Sequence, residues 1–362
     1  MKVCIFAYSN KACETAERVA AALESIDEKK CYTTEKYLRS GFSVIGEECG
    51  SPREFYGKCF EECSAFISVG SCGIAVRHIA PFVKDKTKDP AVIVIDELGK
   101  YVIPILSGHI GGANRLAIEL AQKLGAEAVI TTATDINGRF SVDTWAAENG
   151  YAIDSMKTAK AISAEILERD VEIFIEETLM PKSVLAMPGK EKNIELPAGL
   201  VLSERGDANR QKAAIGIYVG CKTINPFDKT LHLIPKVLSV GLGCRKDMPK
   251  EKIADAVSRV FAENDLDMRA IGSIASIDIK KDEKGILGFC GDIGIEPKFF
   301  TAEELETVTG EFSPSDFVKS VTGVDNVCER AAKIEADRII VKKTAFDGVT
   351  VAVGLKEIEV TF

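Results

Sequence analysis

The chain has 362 residues, 46% hydrophobic and 28% charged, with a formal net charge of −9. That length exceeds what one hydrophobic core organises, and the composition is that of a globular protein rather than a disordered one. The acidic balance weighs against a nucleic-acid binder, and no apolar run approaches the roughly 20 residues of a membrane span.

The apolar start meets Tyr8, Ser9, Asn10 and Lys11 at once, which is too short for a secretion signal. Val3 to Ala7 reads as a first buried strand and Glu14 to Leu23 as an amphipathic helix. Ala65 to Val69 is a second strand, followed by Gly70-Ser-Cys-Gly73 and a helix from Ile74 to Val83. Ala91 to Ile95 is a strand, Asp96 to Gly99 a turn, and Tyr101 to Leu106 a strand that returns as a hairpin. Ser107-Gly-His-Ile-Gly-Gly112 opens a helix, Ala113 to Leu124, which Gly125 ends, and Ala128 to Thr132 is the next strand.

The middle stretch is more charged. It holds a helix near Ala159 to Leu167, an apolar segment from Val171 to Ile175, and a connection at Met187-Pro-Gly189. The alternating pattern restarts with a strand from Val237 to Val240, a loop Gly241-Leu-Gly-Cys-Arg245, and a helix behind Pro249 from Ile253 to Phe261. The segment Ser273 to Lys280 follows. The chain ends in Arg338 to Lys342 and Val349 to Val353, joined by a turn at Asp347-Gly348. The expected class is multi-domain α/β, with mostly parallel sheets flanked by helices in the amino- and carboxyl-terminal domains. The domains are expected at 1–137, 138–234 (a smaller central α/β region) and 235–362.

Eleven cysteines are scattered through apolar segments, and no second pair or nearby histidine completes a zinc set around Cys59 and Cys63. They read as reduced thiols of a cytoplasmic protein.

Three histidines occur in the chain, and one stands in the loop Ser107-Gly-His-Ile-Gly-Gly-Ala-Asn114. Gly108, Gly111 and Gly112 allow close backbone approach. A helix start offers unpaired N–H groups to an oxyanion. His109 there can move a proton near neutral pH, or it can cap the turn. Gly70 and Gly73 repeat the device, with Arg77 either clamping a carboxylate or lying exposed on its helix. Asp135 and Asn137 follow the strand at Thr131-Thr132, and carboxyl ends of strands would set them on the same sheet edge as both glycine loops. Their alternative is to close Asx turns before the helix holding Trp145, where Asp143 simply suits the dipole. Gly241, Gly243 and Arg245 are a weaker copy. They lack the last glycine of a dinucleotide fingerprint, and no Walker A pattern occurs.

Together these segments resemble the cobalamin biosynthesis protein G family, the cobalt-precorrin-5A hydrolases. The matching residues include Gly73-Ile-Ala-Val-Arg77, Leu106-Ser-Gly-His-Ile-Gly-Gly-Ala-Asn114, Thr131-Thr-Ala-Thr-Asp135 and Phe140-Ser-Val-Asp143. Towards the carboxyl end they include Gly241-Leu-Gly-Cys-Arg245, Ala275-Ser-Ile-Asp278 and Val349-Thr-Val-Ala-Val353. The resemblance implies an anionic, cobalt-containing tetrapyrrole as substrate and hydrolysis of its δ-lactone with loss of acetaldehyde. It also implies no resident cofactor or metal, since cobalt arrives with the substrate. His109 or Asp135 would handle the proton. Ser107, Asn114 and Asn137 would join the glycine loops in binding, while Arg77, Arg115 and Arg245 would hold carboxylates. A non-catalytic carrier of the same intermediate is the alternative. Other enzymes of the pathway, or a second copy of the chain, are the further partners this reading allows.

Overall fold

A computed structural model describes the chain except residues 25, 27, 48, 86–87, 110, 180–194 and 204–212, so the connection at 187–189 lies outside the described residues. Two compact units are formed, Met1–Thr144 and Trp145–Phe362.

The first unit runs β1 (Lys2–Ala7), α1 (Asn10–Ala22), β2 (Glu28–Thr33), β3 (Phe42–Val44), α2 (Pro52–Glu62), β4 (Ala65–Val69) and α3 (Cys72–Ile79). It continues through β5 (Ala91–Ile95), β6 (Tyr101–Leu106), α4 (Ala113–Leu124), β7 (Glu127–Ala128), α5 (Ala133–Ile136) and the start of α6 (Val142–Glu148). In β1, Val3, Ile5 and Ala7 face one way and Cys4 and Phe6 the other, and all are buried. A strand apolar on both faces needs cover on both. The first face packs with Ala12, Ala16 and Val19 of α1 and Ala117, Leu120 and Ala121 of α4. The second packs with Phe55, Tyr56 and Phe60 of α2 and Ile79 of α3. Burying each of the larger side chains stabilises the unit by about 1.5–3 kcal/mol.

The sheet order is β3-β2-β1-β4-β5-β6-β7. Strands β1 to β5 pair in parallel. β6 pairs antiparallel with β5, and β7 runs parallel with β6. The reversal is built by Asp96, whose carboxylate accepts the N–H groups of Leu98, Lys100 and Tyr101, and by Gly99 at φ 68°. Its consequence corrects one sequence expectation. The carboxyl ends of β6 and β7 lie at the edge where β5 begins, whereas Gly70 and Gly73 follow β4 at the edge where β5 ends. The Gly108 loop and the Gly70 loop are therefore separated by about 15 Å of strand rather than sharing an edge. β7 is also shorter than expected, pairing only at Glu127 and Ala128.

The second unit holds two five-stranded sheets. The first comprises β8 (Ala152–Ile153), β9 (Val171–Ile175), β10 (Leu200–Leu202), β11 (Ile215–Val219) and β12 (Lys229–Ile234), in the order β10-β9-β11-β12-β8, with α7 (Met156–Glu168) between β8 and β9. The second is built from β13 (Leu238–Cys244), α8 (Lys250–Glu263), β14 (Ile271–Ile277), α9 (Lys284–Ile293), β15 (Pro297–Phe300), α10 (Ala302–Thr307), α11 (Asp316–Thr322), α12 (Val327–Ile334), β16 (Arg338–Phe346) and β17 (Val349–Leu355). Its order is β15-β14-β13-β17-β16, parallel from β13 to β15 and antiparallel across β13-β17-β16.

The expected loop at 241–245 is mostly strand, since β13 continues to Cys244. Gly241 is buried inside it. An added Cβ there would stand 1.8 Å from the Cys328 carbonyl oxygen of α12. Close strand–helix packing, not a loop for a ligand, explains this glycine.

Candidate active site

The loop after β6 is compact because its own groups hold it. Ser107 sits at φ 56°, unusual for a residue with a side chain, and its hydroxyl donates to the Asp89 carbonyl at 2.9 Å. A Cβ at Gly111 would lie 2.4 Å from Ser107 Cβ, and one at Gly108 would lie 2.7 Å from Asn114 Oδ1. Gly112, at φ 76°, starts α4. The glycines are thus required by the turn itself. The helix start is not an open anion site at its first residues. Gly112, Ala113 and Asn114 donate their N–H groups to the carbonyls of His109, Ser107 and Gly108 at 2.8, 3.1 and 3.0 Å. That corrects the expectation of unpaired donors at these three positions.

What the loop does present is His109. Its Nε2 lies 3.0 Å from Asp135 Oδ2 and 3.2 Å from Thr134 Oγ1. Its Nδ1 lies 3.3 Å from Ser141 Oγ and 3.4 Å from Asp143 Oδ1. The ring is held between two carboxylates from two helices, α5 and α6. Asp135 Oδ2 also accepts from Asn114 Nδ2 at 2.9 Å and, in a short bond, from Thr132 Oγ1. Asn114 Nδ2 reaches Thr132 Oγ1 at 2.7 Å as well, so the buried Asn114 ties the first turn of α4 to the segment after β7.

The electrostatics follow. The hydrogen bond to Asp143 is the largest influence on His109 and raises its pKa; burial opposes this, and Asp135 adds to the rise. For Asp135, burial pushes the carboxyl up, but donation from Thr132, His109 and Asn114 outweighs it and holds the group below the usual carboxylate range. The side chain of Asp135 is 38% exposed while that of Asp143 is 6% exposed. Asp135 is therefore the carboxylate that solvent or substrate can reach.

Other residues singled out from sequence fall elsewhere. Arg77 and Arg115 are exposed on α3 and α4. The Asn137 amide is spent locally on the Ala133 carbonyl at 2.8 Å. His78 lies on the flank of α3, stacked on Tyr56 at 4.1 Å with Nδ1 3.0 Å from Tyr8 Oη, at the edge away from His109. Asp143 is the residue that sequence reasoning missed. A helix's first turn accounts for an acid without help, so nothing local marks its contact with His109.

In the second unit, Gly243 and Arg245 line a cavity of about 790 Å³. Its walls include Ile277, Val318, Val321 and Val349, and Lys280 and Lys343 join Arg245 among its cations. Arg245 passes over Gly348, where a Cβ would meet its Cδ at 2.9 Å. Lys280 is partly neutralised by Glu283 at 3.1 Å. Lys343, which sequence alone leaves as a surface charge, belongs to this lining. An apolar cavity with cationic side chains suits a large molecule that is greasy in its body and acidic at its edge.

These features define an α/β protein with a carboxylate–imidazole–carboxylate site on one sheet edge and a separate cation-bearing cavity. Residues 54–135 match the family described as Cobalamin synthesis G N-terminal, and residues 238–354 the family described as Cobalamin synthesis G C-terminus. A cobalt-precorrin-5A hydrolase from Salmonella typhimurium is 32% identical over 98% of this chain and 97% of its own length. One from Priestia megaterium is 32% identical over 84% of this chain and 82% of its own. A solved homolog of cobalamin biosynthesis protein G from Sulfolobus solfataricus is 24% identical, covering 98% of this chain and 97% of its own, with a TM-score of 0.39. The chain belongs to the cobalamin biosynthesis protein G family.

Among the described residues no helix is long and apolar enough to cross a membrane. Among them, too, no group of three or more histidine, cysteine, aspartate or glutamate side chains is arranged to hold a metal ion.

Proposed function

We propose that the chain is the cobalt-precorrin-5A hydrolase of anaerobic cobalamin synthesis, opening the δ-lactone of the tetrapyrrole and releasing acetaldehyde to give cobalt-precorrin-5B. The observation that carries this reading is 32% identity with a hydrolase of that name, over an alignment that covers 98% of the chain. Cobalt enters with the substrate, and the reaction takes place in the cytoplasm.

The chemistry asks for an oriented water, a proton acceptor and a cation near the developing oxyanion. Asp135 suits the acceptor. Its Oδ2 is fixed by His109, Asn114 and Thr132, so a water would be taken up at Oδ1. Water adds to the lactone carbonyl while its proton passes to Asp135. The tetrahedral intermediate then collapses, the acyl C–O bond breaks, and the ring oxygen leaves as an alkoxide. That oxygen becomes the aldehyde carbonyl as the carbon–carbon bond to the macrocycle breaks; the electron pair passes into the conjugated ring, which takes the proton from Asp135 and restores its carboxylate. His109 beside Asp135 favours the anionic stages. Taken by itself, the second unit's cavity, with Arg245, Lys280 and Lys343 on an apolar lining, suits a molecule bearing acetate and propionate arms.

Incubation with the lactone precursor tests this directly. Acetaldehyde, measured by coupled NADH oxidation, should appear in step with the ring-opened product, and Asp135→Asn should abolish most of it. Tight binding of the precursor with no acetaldehyde would leave the carrier reading instead.

A further inference from the structure

We propose that Asp143 is a positioning residue that keeps His109 doubly protonated, so that His109 serves as a fixed cation beside Asp135 and not as the base. This builds on the hydrolase reading only for its kinetic consequence; the protonation of His109 stands apart from any substrate.

The geometry around Nδ1 carries the inference. Ser141 Oγ lies 2.8 Å from Thr144 Oγ1 and 3.1 Å from Asp143 Oδ1, so both neighbours draw on its single proton ahead of Nδ1 at 3.3 Å. Nδ1, 3.3 Å from Ser141 Oγ and 3.4 Å from Asp143 Oδ1, thus faces a carboxylate that can only accept, and a proton on Nδ1 is the partner it calls for. Nε2 faces Asp135 Oδ2, an acceptor already collecting protons from Asn114 and Thr132. A neutral imidazole has one proton for two such positions. Among the described residues, the charged groups in contact with the ring are Asp135 from α5 and Asp143 from α6, alongside the hydroxyls of Thr134 and Ser141. Asp143 also accepts the Thr144 N–H at 3.1 Å. Its carboxylate is 6% exposed, and a charge so buried is stable where a cation adjoins it. An imidazolium with both N–H groups committed has no lone pair with which to take a proton from water. The acceptor is then Asp135.

Three histidines in the chain make the test direct, because His78, His109 and His232 can each be followed in long-range proton–nitrogen spectra of the full chain. Wild-type His109 should show both ring nitrogens protonated and titrate above the roughly 6.5 of a free imidazole. D143N should lower that midpoint, with His78 and His232 unmoved. A neutral His109 in the wild type at pH 6.5 overturns the proposal without any variant. So does a D143N chain with native His78 and His232 signals and an unmoved His109. In turnover, kcat/KM should fall as pH rises through the His109 titration. D143N should shift that fall to lower pH, costing about ten- to hundredfold in rate at pH 8. A rate that rises through the same pH makes neutral His109 the base and overturns the assignment. A chain that fails to open the lactone leaves the spectroscopic result intact, so the two failures are distinguishable.

Discussion

Replacing Gly241 by alanine separates packing from ligand approach at a position where the two readings differ. The new Cβ would stand 1.8 Å from Cys328 O, 2.7 Å from Ala332 N and 2.8 Å from Cys328 C, all backbone atoms of α12. No rotamer relieves such a contact, so the helix must withdraw until the closest pair reaches at least 3.0 Å. α12 buries Ala331 and Ala332 completely, and it also crosses Gly354 of β17 closely, a Cβ there falling 2.7 Å from Ala332 O. Withdrawal therefore opens the contact on two central strands at once. Overpacking of this kind costs about 2–4 kcal/mol. In a unit of this size each kcal/mol lowers Tm by roughly 2–4 °C, giving a drop of about 4–16 °C. Differential scanning calorimetry of the full chain reads it, with KM measured beside it. A variant whose melting is unchanged while KM rises would refute the packing argument and return Gly241 to the ligand.

Asp135→Asn should lower kcat by about 10²–10⁴ with little change in KM, measured by acetaldehyde release. Asn114→Ala removes the amide that joins Asp135 Oδ2 to Thr132, and should destabilise the first unit by about 1–2 kcal/mol in urea unfolding while lowering kcat. Replacing Arg245 or Lys343 by alanine should raise KM about two- to fivefold each and leave kcat alone, the effect shrinking as salt is raised. The His109 cluster also sets a pH window for stability. The raised His109 contributes fully below about pH 6.5 and loses its contribution as pH climbs through its folded value, whereas the lowered Asp135 contributes fully above about pH 3.9 and loses it as pH falls. Thermal melts across pH should show the first unit most stable between those limits, and His109→Gln should flatten the alkaline side.

Much of the first unit was readable because its signals are local. Helix α4 has the bounds expected from sequence, Ala113 and Leu124, since a left-handed glycine closes each end. β5 is an uninterrupted apolar run and β4 is broken only by the buried Ser68, and both match residue for residue. β2 escaped notice because Glu28, Lys29 and Lys30 give it a charged start, and only Tyr32 and Thr33 are buried. α2 carries a start signal, Ser51 capping Glu54 N with Pro52 at the first turn, that hydrophobic pattern alone overlooks. His109 and Asp135 stood out through the company they keep in sequence, but their contact is tertiary, as is that of Asp143. The position of the Gly70 loop was misjudged for a different reason. Each strand's end was legible, yet strand direction across the sheet depends on a pairing no single segment records.

That pairing matters beyond the placement of one loop. Because the hairpin at Asp96–Gly99 turns the last two strands around, the first unit's sheet presents carboxyl ends of strands at both of its edges in place of one. The rim above Tyr8 and Gly70 is the one a doubly wound sheet ordinarily devotes to its ligand. The opposite rim, ordinarily left to scaffolding, carries His109 and Asp135. Loops on either rim can lengthen or change chemistry without disturbing the other. A four-residue turn thus gives one sheet room for two independent lines of specialisation.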